Sequence, residues 1–186
     1  FVDSYQAGTE GTYVLTTSFE PAVCGDNTVT LPETCDDGNA NTGDGCSDQC
    51  AVELDFYCNS ATPIMLGTTM GNTATGTSFF NAPVDANLCT FGTGGGKEVL
   101  YSYTPATSGM LTIALNPTMD VDMGVYVRTD CLDGATQIGC ADVNFQTNMQ
   151  SEALTVAVQA GVPVTIFVDD YAANTQSTFS LTLTQN

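Results

Sequence analysis

Four of the eight cysteines fall between Cys24 and Cys50, in a stretch with no apolar periodicity. It reads Cys24-Gly-Asp-Asn-Thr-Val-Thr-Leu-Pro-Glu-Thr-Cys35-Asp-Asp-Gly-Asn-Ala-Asn-Thr-Gly-Asp-Gly-Cys46-Ser-Asp-Gln-Cys50. A segment of this kind cannot build a hydrophobic core from its own side chains. Cystines or a hard cation must hold it. Asp36, Asp37, Asn39, Asn41 and Asp44 supply oxygens, and Gly38, Gly43 and Gly45 allow the sharp bends that would turn those oxygens toward one point. Two readings follow. In one, the five residues bind calcium, which takes six to eight oxygens at about 2.3–2.6 Å. In the other, the loop is a cystine-stapled turn whose Asx side chains cap backbone amides. The register is not that of an EF-hand, because no Glu stands at the bidentate last position.

The strings Cys24-Gly25-Asp26, Glu33-Thr34-Cys35-Asp36-Asp37-Gly38-Asn39 and Gly43-Asp44-Gly45-Cys46-Ser47 with Cys50 carry a resemblance. Over about residues 23–58 the chain resembles the Myxococcus cysteine-rich repeat of secreted and surface proteins. Most such repeats open Cys-Gly-Asn-Gly, where this chain has Asp26 and Asn27, and only one copy is present. The resemblance implies an extracellular setting and no particular chemistry.

Charge narrows the partners. The net charge is −19, with Lys97 and Arg128 the only cations. Phosphate contacts need Lys and Arg, so nucleic acid is not an expected partner. Anionic membrane surfaces are disfavoured for the same reason, and no apolar run is long enough to insert in a membrane as a helix. Cations are favoured. An even number of cysteines and the absence of His argue for disulfides over zinc. The first residue is Phe1, not Met, and no signal-like segment follows, as expected of a processed and exported chain.

The cysteine-rich stretch divides the chain into an N-terminal extension (1–22), a cysteine-rich module (23–57) and a longer remainder (58–186). Thr12 to Phe19 is rich in β-branched and aromatic residues and reads as a strand, with Tyr13, Leu15 and Phe19 as its apolar side chains. Such a strand needs an edge to pair with. That edge lies either in its own chain or in a neighbouring copy that accepts it as a donor strand. Pro21 ends it. Phe56-Tyr57-Cys58 leaves the module and is expected to form its seam with the next domain.

In residues 59–186 the period is two. Val99, Tyr101 and Tyr103 share a face, as do Leu111, Ile113 and Leu115. So do Val121, Met123, Val125 and Val127; Leu154, Val156 and Val158; Val164, Ile166 and Val168; and Phe179, Leu181 and Leu183. Thr107-Ser-Gly109, Asn116-Pro117, Asp133-Gly134 and Gly161 punctuate them. Weaker strands are expected near Ile64–Leu66 and Thr73–Phe80. The fold class is all-β: an antiparallel, jelly-roll-like β-sandwich with an N-terminal strand and a small loop-dominated module.

Glu98-Val-Leu-Tyr-Ser-Tyr-Thr-Pro105, Ser108-Gly109, Val121-Asp-Met-Gly-Val-Tyr-Val127 and Pro163-Val-Thr-Ile-Phe-Val-Asp-Asp-Tyr171 make about residues 57–186 similar to the bacterial pre-peptidase C-terminal domain. That resemblance implies a jelly-roll-like accessory module of secreted proteins, some of which bind polymers or calcium. No protease domain accompanies it in this sequence.

Eight cysteines allow 105 pairings. The expectation here is Cys131–Cys140, a local pair spanning Asp133-Gly134, then Cys58–Cys89, with Cys24, Cys35, Cys46 and Cys50 paired among themselves. A second acidic cluster forms if strand ends meet: Asp120 and Asp122 before one strand, Asp142 after Cys140, and Asp169 and Asp170 at the end of another. A cation would relieve the repulsion of such carboxylates; scattered solvated acids are the other reading.

Catalysis is not expected. Without His, no Ser-His-Asp or Cys-His arrangement exists. Lys97 after Gly94-Gly-Gly96 lacks the Gly-Lys-Ser/Thr order of a phosphate loop. The expected function is a secreted, non-enzymatic structural subunit of an extracellular fibre or bacterial surface assembly. It would be stabilised by calcium and disulfides and self-associate as a homopolymer through its N-terminal strand. The alternative is a monomeric adhesin or a module binding an extracellular polymer or carbohydrate, which an exposed row of Tyr101, Tyr103 and Tyr126 would favour.

Overall fold

The computed structural model describes residues 12–18, 21–80, 96–118, 121–142, 151–171 and 176–186. The cysteine-rich module has almost no regular structure. It closes through Cys24–Cys50 and Cys35–Cys46, so the four cysteines do pair among themselves. It ends in a short helix α1 (Leu54–Asn59), which no sequence signal announced.

The remainder is a β-sandwich. Its strands are β1 (Thr62–Pro63), β2 (Gly67–Asn72), β3 (Glu98–Tyr103), β4 (Gly109–Pro117), β5 (Met123–Arg128), β6 (Gln137–Ala141), β7 (Glu152–Val158), β8 (Val164–Asp170) and β9 (Thr178–Gln185). One sheet has the order β1-β3-β8-β5-β6 and the other β2-β9-β4-β7. All pairings are antiparallel except the short β1–β3 contact. The alternating residues do what period two demands. Leu111, Ile113, Leu115, Ile166, Val168, Phe179 and Leu181 are fully buried between the sheets, and each contributes about 1.5–3 kcal/mol by leaving water.

Two expected strands move: residues 64–66 are the gap between β1 and β2. The stretch 73–75 is a 3-10 turn capped by the Asn72 side chain, and the strand lies just before it, as β2. β6 carries Gly139 and Cys140 and too little apolar alternation to be seen in sequence.

β5 is buried at every position, and β8 at all but one, where alternation would leave one face wet. A second, smaller core covers that face. The Tyr126 and Phe167 rings stack at 4.5 Å, and the Arg128 guanidinium lies over both, 5.1 and 4.9 Å from their centroids. Phe80 packs on Phe167, and Leu54, Tyr57 and Cys58 close the layer. The aromatic seam is therefore where the sequence places it: Tyr57 meets Phe79 at 5.2 Å.

The cystine expectations for the sandwich are corrected. Cys58 pairs with Cys131, not Cys89, and Cys131 therefore does not pair with Cys140. Cys140 is itself disulfide-bonded, and Cys89 lies outside the described residues. Proximity in sequence misleads because α1 lays Cys58 against the turn that follows β5. Closing a loop of separation 73 contributes roughly 4–5 kcal/mol in the chain-entropy model.

Candidate functional site

In the cysteine-rich loop, Asp36 is the hub. Its Oδ2 accepts from the Gly25 and Asp26 amides at 2.9 and 3.1 Å. Its Oδ1 accepts from those of Asn27 and Gly38 at 3.0 and 2.8 Å. Desolvation works to raise its pKa, but the backbone bonds to Gly38, Asn27, Gly25 and Asp26 together hold it below the ordinary value. Asp37 accepts from the Asn39 amide, Asn39 from the Asn41 amide, and the Asn39 side chain donates to Asp44 at 3.2 Å. These are the bonds of a stapled turn. A carboxylate has about four acceptor sites, and backbone donors already fill those of Asp36, so it does not fit as a calcium ligand. Gly25 and Gly38 hold positive φ of 89° and 85°, and a Cβ at Gly25 would meet the Asn39 backbone at 2.7 Å.

The sandwich acids behave differently. Glu98 lies directly opposite Asp169 in the β3–β8 ladder, and Asp169 lies opposite Gly124 of β5. Val125 pairs with Ala141, so the same register carried one step further sets Asp142 beside Gly124. The result is a carboxylate row, Glu98, Asp169, Asp142, across the outer face of the five-stranded sheet. Gly124 leaves room at its middle. All three acids are buried. Glu98 Oε1 accepts from Thr77 Oγ1 at 2.6 Å and from the Phe79 and Phe80 amides at 2.9 and 3.3 Å. Its Oε2 and the Oδ1 of Asp169 are buried without a hydrogen-bond donor, as is the Oδ1 of Asp170. The other Asp170 oxygen accepts from Thr73 Oγ1, and Thr73 Oγ1 accepts from the Ser177 amide at 2.9 Å.

Desolvation drives the titration of the row. It raises Asp169 to about 8, helped by the charges of Glu98, Asp170 and Asp142. Glu98 rises to about 7 through desolvation, against its hydrogen bonds, and Asp122 to about 6 through desolvation and the Asp142 charge.

Of the second cluster expected from sequence, Asp122, Asp142 and Asp169 do come into electrostatic contact, and Asp120 lies outside the described residues. Sequence reasoning named Asp170 with Asp169 but missed Glu98 and Thr73. Pairing the strand at 98–103 antiparallel with that at 164–170 would have placed Glu98 against Asp169. Among the described residues no three of Asp, Glu, Cys and His close into a ready metal cage.

A cleft of about 210 Å³ lies between Tyr57, Thr62, Gly76, Thr77, Glu98 and Leu100. Tyr101, Tyr103 and Tyr126 are buried at 6%, 5% and 0% exposure and offer no sugar-stacking row. Lys97 donates from Nζ to the Ala74 carbonyl at 2.9 Å, a structural contact at the entry to β3.

The N-terminal segment stands apart. Residues 12–18 have no regular secondary structure and pair with no strand among the described residues. Tyr13, Val14 and Leu15 are 66%, 93% and 68% exposed; Phe19 lies outside the described residues. The strand expected there does not form among the described residues: β structure needs a partner, and residues 12–18 are paired with none of the described strands.

Residues 9–51 match a family model described as a domain of unknown function, DUF4215. No curated protein matches the chain. Among solved structures, this chain is similar to the pre-peptidase C-terminal domain of a collagenase from Bacillus anthracis. That pair is 16% identical over 67% of this chain and 94% of that one, with a TM-score of 0.42. It is also similar to a family 35 carbohydrate-binding module from Paenibacillus barcinonensis, 15% identical over 63% and 99%, TM-score 0.36. A family 6 carbohydrate-binding module of a marine laminarinase from Zobellia galactanivorans is 17% identical over 63% and 99%, TM-score 0.32. The order read from the sequence, a cysteine-rich module followed by a β-sandwich, is the order the structure shows, and the family match falls on the N-terminal, cysteine-rich part.

Proposed function

We propose that this chain is a secreted, non-enzymatic structural subunit that self-assembles into an extracellular fibre or surface layer, with residues 12–18 of one copy docking as an added strand on the next. The observation that carries this reading is the exposure of Tyr13, Val14 and Leu15 in a strand-forming segment that pairs with nothing described in its own chain. Burying a side chain of this size gains about 1.5–3 kcal/mol, and strand addition also satisfies the backbone. The cystines suit an oxidising, extracellular setting. The burial of the three sandwich tyrosines argues against the adhesin alternative.

Deleting residues 12–18 tests this. The reading predicts that the full chain forms regular fibres in negative-stain images, while the deleted protein stays monomeric with the melting temperature of the sandwich unchanged. A full chain that remains monomeric at every concentration, or a deletion that still assembles, contradicts it.

Calcium belongs in this reading at the sandwich row and not at Asp36. The unpartnered oxygens of Glu98 and Asp169 support it. The row does not close as a cage, so an ion there would draw on few carboxylates and complete its shell with backbone and water oxygens. At a calcium concentration about 100 times the dissociation constant, folding gains about 2.7 kcal/mol. A chelator should then lower the melting temperature.

A further inference from the structure

We infer that the acceptor for the donated segment is the outer edge of β2, so that residues 12–18 of one copy extend the four-stranded sheet of the next beyond Gly67–Asn72. This rests on the assembly reading above and names the surface it requires.

The choice among edges follows from what covers each. β6 and β7 are the last strands of their sheets on one side, and they close against each other: a Cβ at Gly139 would meet Val156 and Leu154 side chains at 2.4 and 2.8 Å. On the other side, β3 is covered by β1 at Tyr101 and Ser102 and by a bridge from Thr77 at Glu98. β2 pairs through all six of its residues with β9 and, among the described residues, with nothing on its outer side. An edge strand with a free row of amides and carbonyls is a template for another strand.

The chemistry of that edge matches the segment. Met65, Leu66 and Met70 are 82%, 51% and 66% exposed. Leu66, Thr68 and Met70 alternate on the solvent face, where Thr68 bonds the Thr182 hydroxyl at 2.9 Å. Tyr13 and Leu15 alternate in the same way, and added strand pairing would bring such side chains within about 4.5–5.5 Å of their opposites. Neither 12–18 nor 64–72 contains a charged residue, in a chain of net charge −19. Two copies so strongly acidic repel over most of their surfaces, and these stretches can meet without bringing carboxylates together. The donor and acceptor are different surfaces, so the contact is head-to-tail and propagates into an open filament unless its rotation closes a ring.

The test uses the full chain. Two single variants, Leu15→Cys and Met70→Cys, are mixed under mild oxidation; among the described residues no cysteine is free to compete. The inference predicts a disulfide-linked dimer joining one variant to the other, and little from either variant alone. Separately, Met70→Glu should raise the concentration needed for assembly by about tenfold or more while leaving the melting temperature unchanged, because Met70 is exposed. If Met70→Glu assembles like the parent and the mixed variants do not cross-link, yet deletion of 12–18 abolishes fibres, the segment docks on another edge. The inference then falls while the assembly reading stands. If deletion has no effect, both fall.

Discussion

The cysteine-rich module and the sandwich are held by opposite means, and they should answer pH in opposite directions. The module has no apolar core. Two cystines and an ionised carboxylate, Asp36, gather its backbone amides. The sandwich buries its aliphatic side chains between two sheets and, on its outer face, buries acids that prefer to be protonated. A carboxyl group that caps exposed amides stabilises as an anion, whereas the same group beneath a packed layer stabilises as an acid. The lesson is that a charge of −19 is not one property of the molecule but two.

The largest way to break the comparison is to cut the link between the regions. Replacing Cys58 and Cys131 together by serine should cost roughly 4–5 kcal/mol, and calorimetry should resolve two transitions where the parent shows one. A single unchanged transition would mean that the α1 seam alone couples them.

The pH response comes next. Asp36 has a depressed pKa, so its contribution is full above its unfolded value, near 4, and is lost as pH falls through the lower folded value. Glu98, Asp122 and Asp169 are raised to about 7, 6 and 8. Their folded state binds more protons than the unfolded one from about pH 4 to pH 8, so sandwich stability should fall as pH rises through that window. Asp169→Asn should flatten the sandwich profile above pH 6, measured as melting temperature in chelator. An unchanged slope would remove Asp169 from the account.

The smallest effect sharpens the module side. Asp36→Ala removes the acceptor shared by the amides of Gly25, Asp26, Asn27 and Gly38. Faster amide exchange should appear at those residues and not in β3, β5 or β8. Protection unchanged at Asn27 and Gly38 would show that the cystines suffice.

Much of this was legible, and the misses share a cause. Alternation found β3, β4, β5, β7, β8 and β9, because their inward residues are Leu, Ile, Val and Phe. It did not find β2, written Gly-Thr-Thr-Met-Gly-Asn, because Gly71 sits where a Cβ would strike Phe179 and Tyr101 and so leaves no apolar mark. Arg128 reads as a solvent residue, but it is a buried plate over Tyr126 and Phe167. Two of the three acids of the row, Asp142 and Asp169, were visible as strand-end aspartates. Glu98 was not, because its neighbour Asp169 is set by strand pairing. The Cys58–Cys131 bond depends on α1, whose single turn has no sequence period to read.

The most direct test of the assembly account is amide hydrogen exchange on residues 12–18 in the full chain, dispersed and assembled. The account predicts rapid exchange in the dispersed protein, where these residues lack partners, and strong protection in the fibre together with new protection on β2. Equal exchange in both states, or protection already present in the dispersed protein, would contradict it.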